Sequence, residues 1–316
     1  MVEIGPGLGP QPSDSLDADF TVNATGLVSR TLGLWSRKIV QYTLLMGGLY
    51  VVYLVIQTLI LIALYGTFGL AIASSVGANP IGVLIGAIGS EGELNYQYWM
   101  VSFFLNFGGL IFLSLAAGAI VKFSLDDYGT PRAGDVSGSV SFSFGKAVTL
   151  ISVQLITGGL ASAVLAPGNI FLARGLAQYD PNNPFDVPSE FITAMPLIFG
   201  GLIGIILIQI VFAPLLAVVI AEDVSILGSF RRAYELSSGN FLHIFGGYIL
   251  VGFLVGIIGF LLSGIFYTMY LTYGDWMLLI PAFLSTLLVG SLSYIFITVL
   301  YRDLASRASV RRDEWW

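Results

Sequence analysis

Apolar residues in this chain gather into six long runs, at about 39–64, 98–121, 147–165, 191–220, 241–267 and 276–301. A helix rises 1.5 Å per residue, so roughly 20 apolar residues cross the ~30 Å hydrocarbon core of a bilayer. Each run therefore predicts a transmembrane helix. Together they predict an all-α, polytopic membrane protein of six spans. The fourth run is too long to cross upright, which predicts a tilt, or a kink at Pro196 or Pro214. Aromatic residues mark the span ends as interface anchors: Trp35 and Tyr42, Tyr96, Tyr98 and Trp99, Tyr267 and Trp276.

The segments between and around the spans differ in kind. Residues 1–26 are rich in Pro, Gly, Ser and Asp and too poor in apolar side chains to bury, so a disordered acidic tail is expected. No basic n-region with a short apolar core opens the chain, so no signal peptide is expected there. The stretch 66–90 is apolar but broken by Gly77, Asn79 and Pro80, and reads as an outer re-entrant hairpin, with a seventh span as the rival. The membrane domain is placed at 27–303, and residues 304–316 form a basic tail.

Glycine-rich motifs recur inside the spans. Phe107-Gly108-Gly109 in the second returns as Phe199-Gly200-Gly201 in the fourth and Phe245-Gly246-Gly247 in the fifth, while Gly47-Gly48 and Gly158-Gly159 sit in the first and third. Small residues let helix backbones approach closely where no hydrophobic force drives association in lipid. A second repetition lies at the polar ends, where even spans close on acids (Asp126-Asp127, Glu222-Asp223, Asp303) and a polar segment leads into each odd span. In the third copy, Val224, Leu227, Phe230 and Tyr234 recur every three or four residues. They predict an interfacial helix with Arg231, Arg232 and Glu235 off its apolar face. Residues 27–38 look similar, whereas 136–146 alternates with period two and leaves the helix in doubt. The plan is three repeated two-helix units.

Charge adds an orientation. Apart from Arg174, the thirteen Lys and Arg residues fall in four stretches: Arg30, Arg37 and Lys38; Lys122, Arg132 and Lys146; Arg231 and Arg232; and Arg302, Arg307, Arg311 and Arg312. By the positive-inside rule these stretches, and both termini, face the cytoplasm, which predicts a multi-pass protein of the cell membrane. The net charge of −6 gives no sign of nucleic-acid binding, because the bases are confined to one side. On that side the sequon Asn23-Ala24-Thr25 reads as a chance match.

Composition narrows the chemistry. With 56% hydrophobic and 10% charged residues, no Cys and a single His, the chain offers no thiolate, no Cys metal site and no cofactor motif. His243, at the start of the fifth span, reads as structural or interfacial rather than catalytic. Asp126-Asp127 and the outer Glu91 and Glu93 have the hard oxygens a divalent cation takes, but too few per loop, so solvated acids are expected. Convergence of Asp126, Glu222 and Asp303 at one depth would mark an intramembrane enzyme. Asn106, Gln154 and Gln209 are mid-span amides that serve interhelical hydrogen bonds, or a path for a neutral solute. Arg30, Arg37, Arg231 and Arg232 are the candidate contacts for anionic lipid headgroups or a cytoplasmic partner protein.

One further reading starts from Ala221-Glu222-Asp223, the segment Ser229-Phe230-Arg231-Arg232-Ala233-Tyr234-Glu235-Leu236-Ser237-Ser238-Gly239-Asn240-Phe241, and the closing Tyr301-Arg302-Asp303-Leu304 with Arg307. These residues resemble the six-helix membrane domain attached to some glycerophosphodiester phosphodiesterases, and are similar to YciC-like membrane proteins. The resemblance spans about residues 27–310. It implies a membrane module, not phosphodiesterase chemistry, because that activity belongs to a separate soluble domain whose His, Glu and Asp residues have no counterpart here. The expected function is non-enzymatic: membrane organisation, lipid handling or a platform for a partner. The alternative is a transporter or channel for a small neutral or lipid-like solute.

Overall fold

The computed structural model describes residues 23–65, 96–129, 134–178, 188–222, 224–273 and 279–313; the expected hairpin at 66–90 lies outside them. Every regular element among the described residues is helical. Six helical stretches are long and apolar enough to cross a membrane: Ile39–Ile60, Phe103–Tyr128, Ala147–Leu172, Ser189–Ala221, Phe241–Tyr267 and Phe283–Ala308. They agree with the six apolar runs to within several residues at each end, as expected of a multi-pass membrane protein.

In chain order the elements are α1 (Ala24–Arg37), α2 (Ile39–Met46), a π-helical turn (Gly47–Val51), α3 (Val52–Tyr65), α4 (Tyr96–Gly129) and α5 (Val136–Gly145). There follow α6 (Ala147–Gln178), α7 (Ser189–Val211), α8 (Leu215–Ala221), α9 (Ile226–Ser237), α10 (Phe241–Tyr273) and α11 (Leu279–Asp313). The first span is thus α2 and α3 joined through the wide turn at Gly47-Gly48. The fourth is α7 and α8, broken at Pro214. Around that break Ala213 N–H reaches Ile210 O and Leu215 N–H reaches Phe212 O, so the ladder tightens to three-residue steps. Pro196 sits inside continuous α7. Of the two expected kink sites, only Pro214 interrupts the helix.

Three short helices, α1, α5 and α9, share one construction. Each opens on a capping side chain that accepts from the N–H of a glycine three residues on: Asn23 from Gly26, Asp135 from Gly138, Ser225 from Gly228. In each, the residues four and eight after the cap are buried: Leu27 and Thr31, Ser139 and Ser143, Ser229 and Ala233. The Oγ of Ser139 donates to Asp135 O at 2.7 Å, and that of Ser229 to Ser225 O at 3.0 Å. The doubt over 136–146 is therefore corrected, since this segment is a capped helix. Serine at every second position mimics a strand, but the same residues also recur every four, the spacing that one helical face needs. Of the tail expected over 1–26, residues 24–26 instead open a helix capped by Asn23, and residues 1–22 lie outside the described residues.

The helices pack as two compact units. The first gathers Met1–Val55, Leu113–Leu150 and Ile210–Trp316. Its axis is α11, which packs against α1, α2, α8, α9 and α10. Around it Leu27, Tyr42, Phe123, Leu236, Ile244 and Phe296 are fully buried. The part of α4 from Ser114 to Val121 is buried on every side, as befits a helix surrounded by others.

The second unit, Ile56–Phe112 with Ile151–Gln209, is held by α6 against α7. A Cβ added at Gly168 would stand 2.8 Å from the backbone N of Ile198, and one at Gly201 would stand 3.1 Å from Val164 O. These backbones touch through their glycines. The paired glycines seen in the sequence divide their labour: Gly47, Gly201 and Gly247 face close neighbours, while Gly48 and Gly200 face open space.

Candidate functional site

Most of the chain's bases stand at one end of the helices of the first unit, and α11 ties them together there. Its residues Tyr301, Arg302 and Asp303 follow one another at about 100° per residue, so they point to three different neighbours. Tyr301 Oη donates to Glu222 Oε1 at 3.1 Å, at the end of α8. The same carboxylate takes Arg232 Nε of α9, at 3.1 and 3.0 Å to its two oxygens. Arg302 lies over the ring of Tyr128, 5.2 Å from its centroid, and the Tyr128 hydroxyl accepts from Arg30 Nη1 at 3.2 Å. Asp303 Oδ2 takes His243 Nε2 at 2.9 Å and Arg307 Nε at 2.8 Å. One turn deeper, Thr298 and Ser124 share a buried hydrogen bond of 2.6 Å between their hydroxyls.

Asp303 shows why these contacts matter. Its carboxylate is 1% exposed, and a charge so buried is tolerable only when paired and hydrogen-bonded. An ionised carboxylate only accepts, so the close nitrogen of His243 carries the proton. Asp127 is in the same position: it is 3% exposed and takes Lys38 Nζ at 2.7 Å. Lys38 also lies over the Phe123 ring at 4.9 Å, and that ring meets Tyr42 edge-on. The reading of Asp126-Asp127 as two solvated loop acids is thus half corrected. Asp126 pairs with Lys122 at 2.6 Å and is part-exposed, whereas Asp127 is a buried counter-ion.

Among the described residues, the acids closing the even spans each meet a base from elsewhere in the fold or from an adjacent turn: Asp126 with Lys122, Asp127 with Lys38, Glu222 with Arg232, Asp303 with His243 and Arg307. Asp126, Glu222 and Asp303 are each matched in this way, and do not combine into a shared acidic centre. Among the described residues no three His, Asp or Glu side chains gather to hold a metal ion. Glu91 and Glu93 fall outside those residues.

Helix α9 presents a different surface. Its buried face is made of Leu236 and of Ser229, Ala233 and Ser237, three small residues that let it lie close to α8 and α11. On the opposite side Leu227 is 80% exposed, Arg231 84% and Tyr234 54%, one turn apart and in line. This revises the expected geometry. Arg231 lies on the exposed apolar stripe, and Arg232, 24% exposed, is turned toward Glu222. Arg231 bonds within its own helix, Nε to Glu235 Oε1 at 3.1 Å. Phe230 leaves the stripe and packs edge-on against Phe212, with ring centroids 5.1 Å apart.

The remaining candidates are dispersed. Arg37 is exposed in the last turn of α1, and Arg30 is engaged with Tyr128. In the second unit Asn106 is buried, Gln154 half-buried and Gln209 exposed. The α11 cluster escaped sequence reasoning because its partners lie 60 and 79 residues apart in the chain. Its one legible trace was an acid at the end of each even span. A comparison of the chain with family models, curated proteins and solved structures finds no match.

Proposed function

We propose that this is a non-enzymatic protein of the cell membrane, built from three repeated two-helix units with both termini in the cytoplasm, which handles or organises lipids at its cytoplasmic face. The shared capping and burial of α1, α5 and α9 supports the repeat. The concentration of bases at one end supports the orientation. Membership of the six-helix family named above is part of the same proposal and rests on Ser229 to Phe241 and on Tyr301 to Arg307.

One observation carries the lipid reading: Arg231 stands exposed between exposed Leu227 and Tyr234, while its neighbour Arg232 is bound across helices. A helix lying in the membrane plane puts apolar side chains among acyl chains and its bases at the headgroups, each base near an anionic surface being worth about 1 kcal/mol. Buried charges elsewhere at this end are matched by partners and hold the fold, whereas the exposed stripe of α9 is free to meet lipid.

The test is native mass spectrometry of the full chain extracted from lipid, wild type against Arg231→Ala. The wild type should retain anionic phospholipid in preference to zwitterionic, and the variant should lose that preference; equal retention would refute the reading. The chain has no native thiol, so single cysteines at Ser141 and Gln178, both exposed, check the threading. An impermeant label should reach Gln178→Cys from outside and Ser141→Cys only after the membrane is opened.

A further inference from the structure

We infer that Glu235 is the built-in occupant of a phosphate site formed by Arg231 and Arg232, and that the phosphodiester of an anionic phospholipid takes its place. The inference rests on the lipid reading above and adds to it a site, a ligand class and a form of regulation.

One carboxylate bridges two guanidinium groups on a single helix: Glu235 Oε1 lies 3.1 Å from Arg231 Nε, and Oε2 lies 3.7 Å from Arg232 Nη1. The two arginines are not held alike. Arg232 is fixed from its other side by both oxygens of Glu222, which Tyr301 anchors in turn. Its Nη1 therefore projects from a fixed position, while Arg231, 84% exposed, is free to follow a ligand. A phosphodiester carries one negative charge and two unesterified oxygens, the same count as a carboxylate. It can replace Glu235 oxygen for oxygen, with the fork geometry that arginine offers to such groups.

The exchange is easy on this side and hard on the other. An exposed pair four residues apart on a helix holds weakly, and 46% of the Glu235 side chain is open to solvent. The Arg232 and Glu222 pair is part-buried and bound at two oxygens, so it stays when Glu235 leaves. Leu227 and Tyr234 decide the source of the phosphate. They flank Arg231 one turn to either side and are exposed. A lipid supplies acyl chain and glycerol to both along with its phosphate, whereas a free anion would leave them in water.

The experiment compares wild type, Arg231→Ala, Glu235→Gln and the double variant as full chains in phosphatidylcholine discs doped with phosphatidylglycerol. The phosphatidylglycerol retained after extraction is read by mass spectrometry. Removing the competing carboxylate should raise retention about fivefold in Glu235→Gln. The same change in the Arg231→Ala background should do nothing, and excess inorganic phosphate should leave wild-type retention unchanged.

If Arg231→Ala loses the lipid but Glu235→Gln equals wild type, the occupant idea falls and the lipid reading stands. If Arg231→Ala retains as much as wild type, the lipid reading itself falls, and this site with it. A gain from Glu235→Gln that persists without Arg231 would reveal a general charge effect and overturn the site. Displacement by phosphate would overturn the lipid assignment. Glu235→Gln should melt with the wild type, which keeps a folding defect from passing for loss of binding.

Discussion

Arg231 and Arg232 are adjacent in sequence, yet they belong to two regions built on opposite terms. Arg232 joins the end of α11, where Tyr301, Glu222, Asp303 and His243 tie four helices through side chains that are largely buried. Arg231 belongs to the exposed stripe of α9, where its bonded partner Glu235 is one turn away on the same helix. Both regions use Arg, Glu and Tyr. The difference lies in how much water each charge has lost, and therefore in what removing it does. A buried charge without its partner bears the full penalty of desolvation, whereas an exposed one is re-solvated at once.

The largest effect should follow Asp303→Ala. It strips a fully buried carboxylate from His243 and Arg307 together, leaving two bases facing each other at 3.4 Å. Breaking a buried pair in this way costs about 3–5 kcal/mol, so the thermal midpoint in detergent should drop steeply. A midpoint equal to that of the wild type would remove the distinction between the two regions. Next comes Gly247→Ala, where a Cβ would stand 2.8 Å from the ring of fully buried Phe296. Overpacking there should cost about 1–3 kcal/mol. The control is Gly252→Ala on the same helix, where nothing lies within 4 Å and the midpoint should hold or rise.

These two regions were unequally legible in the sequence. The spans showed themselves because twenty apolar residues in a row admit few other structures. The stripe on α9 was half legible: Leu227 and Tyr234 share a phase, but periodicity alone did not say that Ser229, Ala233 and Ser237 would join the face turned inward. Small residues have weak hydropathy and strong packing value, so a pattern read on apolarity passes over them. The same blindness made α5 look like a strand, although Asp135 followed three residues later by Gly138 matched Asn23 with Gly26 and Ser225 with Gly228. The ties of α11 left almost no local trace. A contact across 60 or 79 residues is set by how helices pack, and no window along the chain contains both partners.

Arg232→Ala should fall between the extremes. It frees Glu222, which then keeps only the Tyr301 hydroxyl among its bonds described above, and the pair is part-buried at 24% and 21% exposure. A loss of about 1–2 kcal/mol is expected, with Tyr301→Phe removing a smaller share of the same network. If Arg232→Ala and Tyr301→Phe lowered the thermal midpoint additively, the two contacts would be independent. A shortfall in the double variant would show that Glu222 couples them.

The smallest effect on stability belongs to Arg231→Ala, and it carries the most information about function. Its salt bridge joins residues four apart on one helix, and such exposed pairs contribute about 0.3–0.5 kcal/mol at low salt and less as salt rises. The midpoint in detergent should therefore stay within about half a kcal/mol of wild type. In bilayers containing anionic lipid the two proteins should separate, because a ligand that binds only the folded state stabilises it in proportion to its occupancy. Wild type should gain stability as phosphatidylglycerol is raised, and Arg231→Ala should gain less. A large loss in detergent would mean that Arg231 belongs with Arg232 among the ties of the fold. Equal gains in lipid would mean that the exposed stripe does not read headgroup charge.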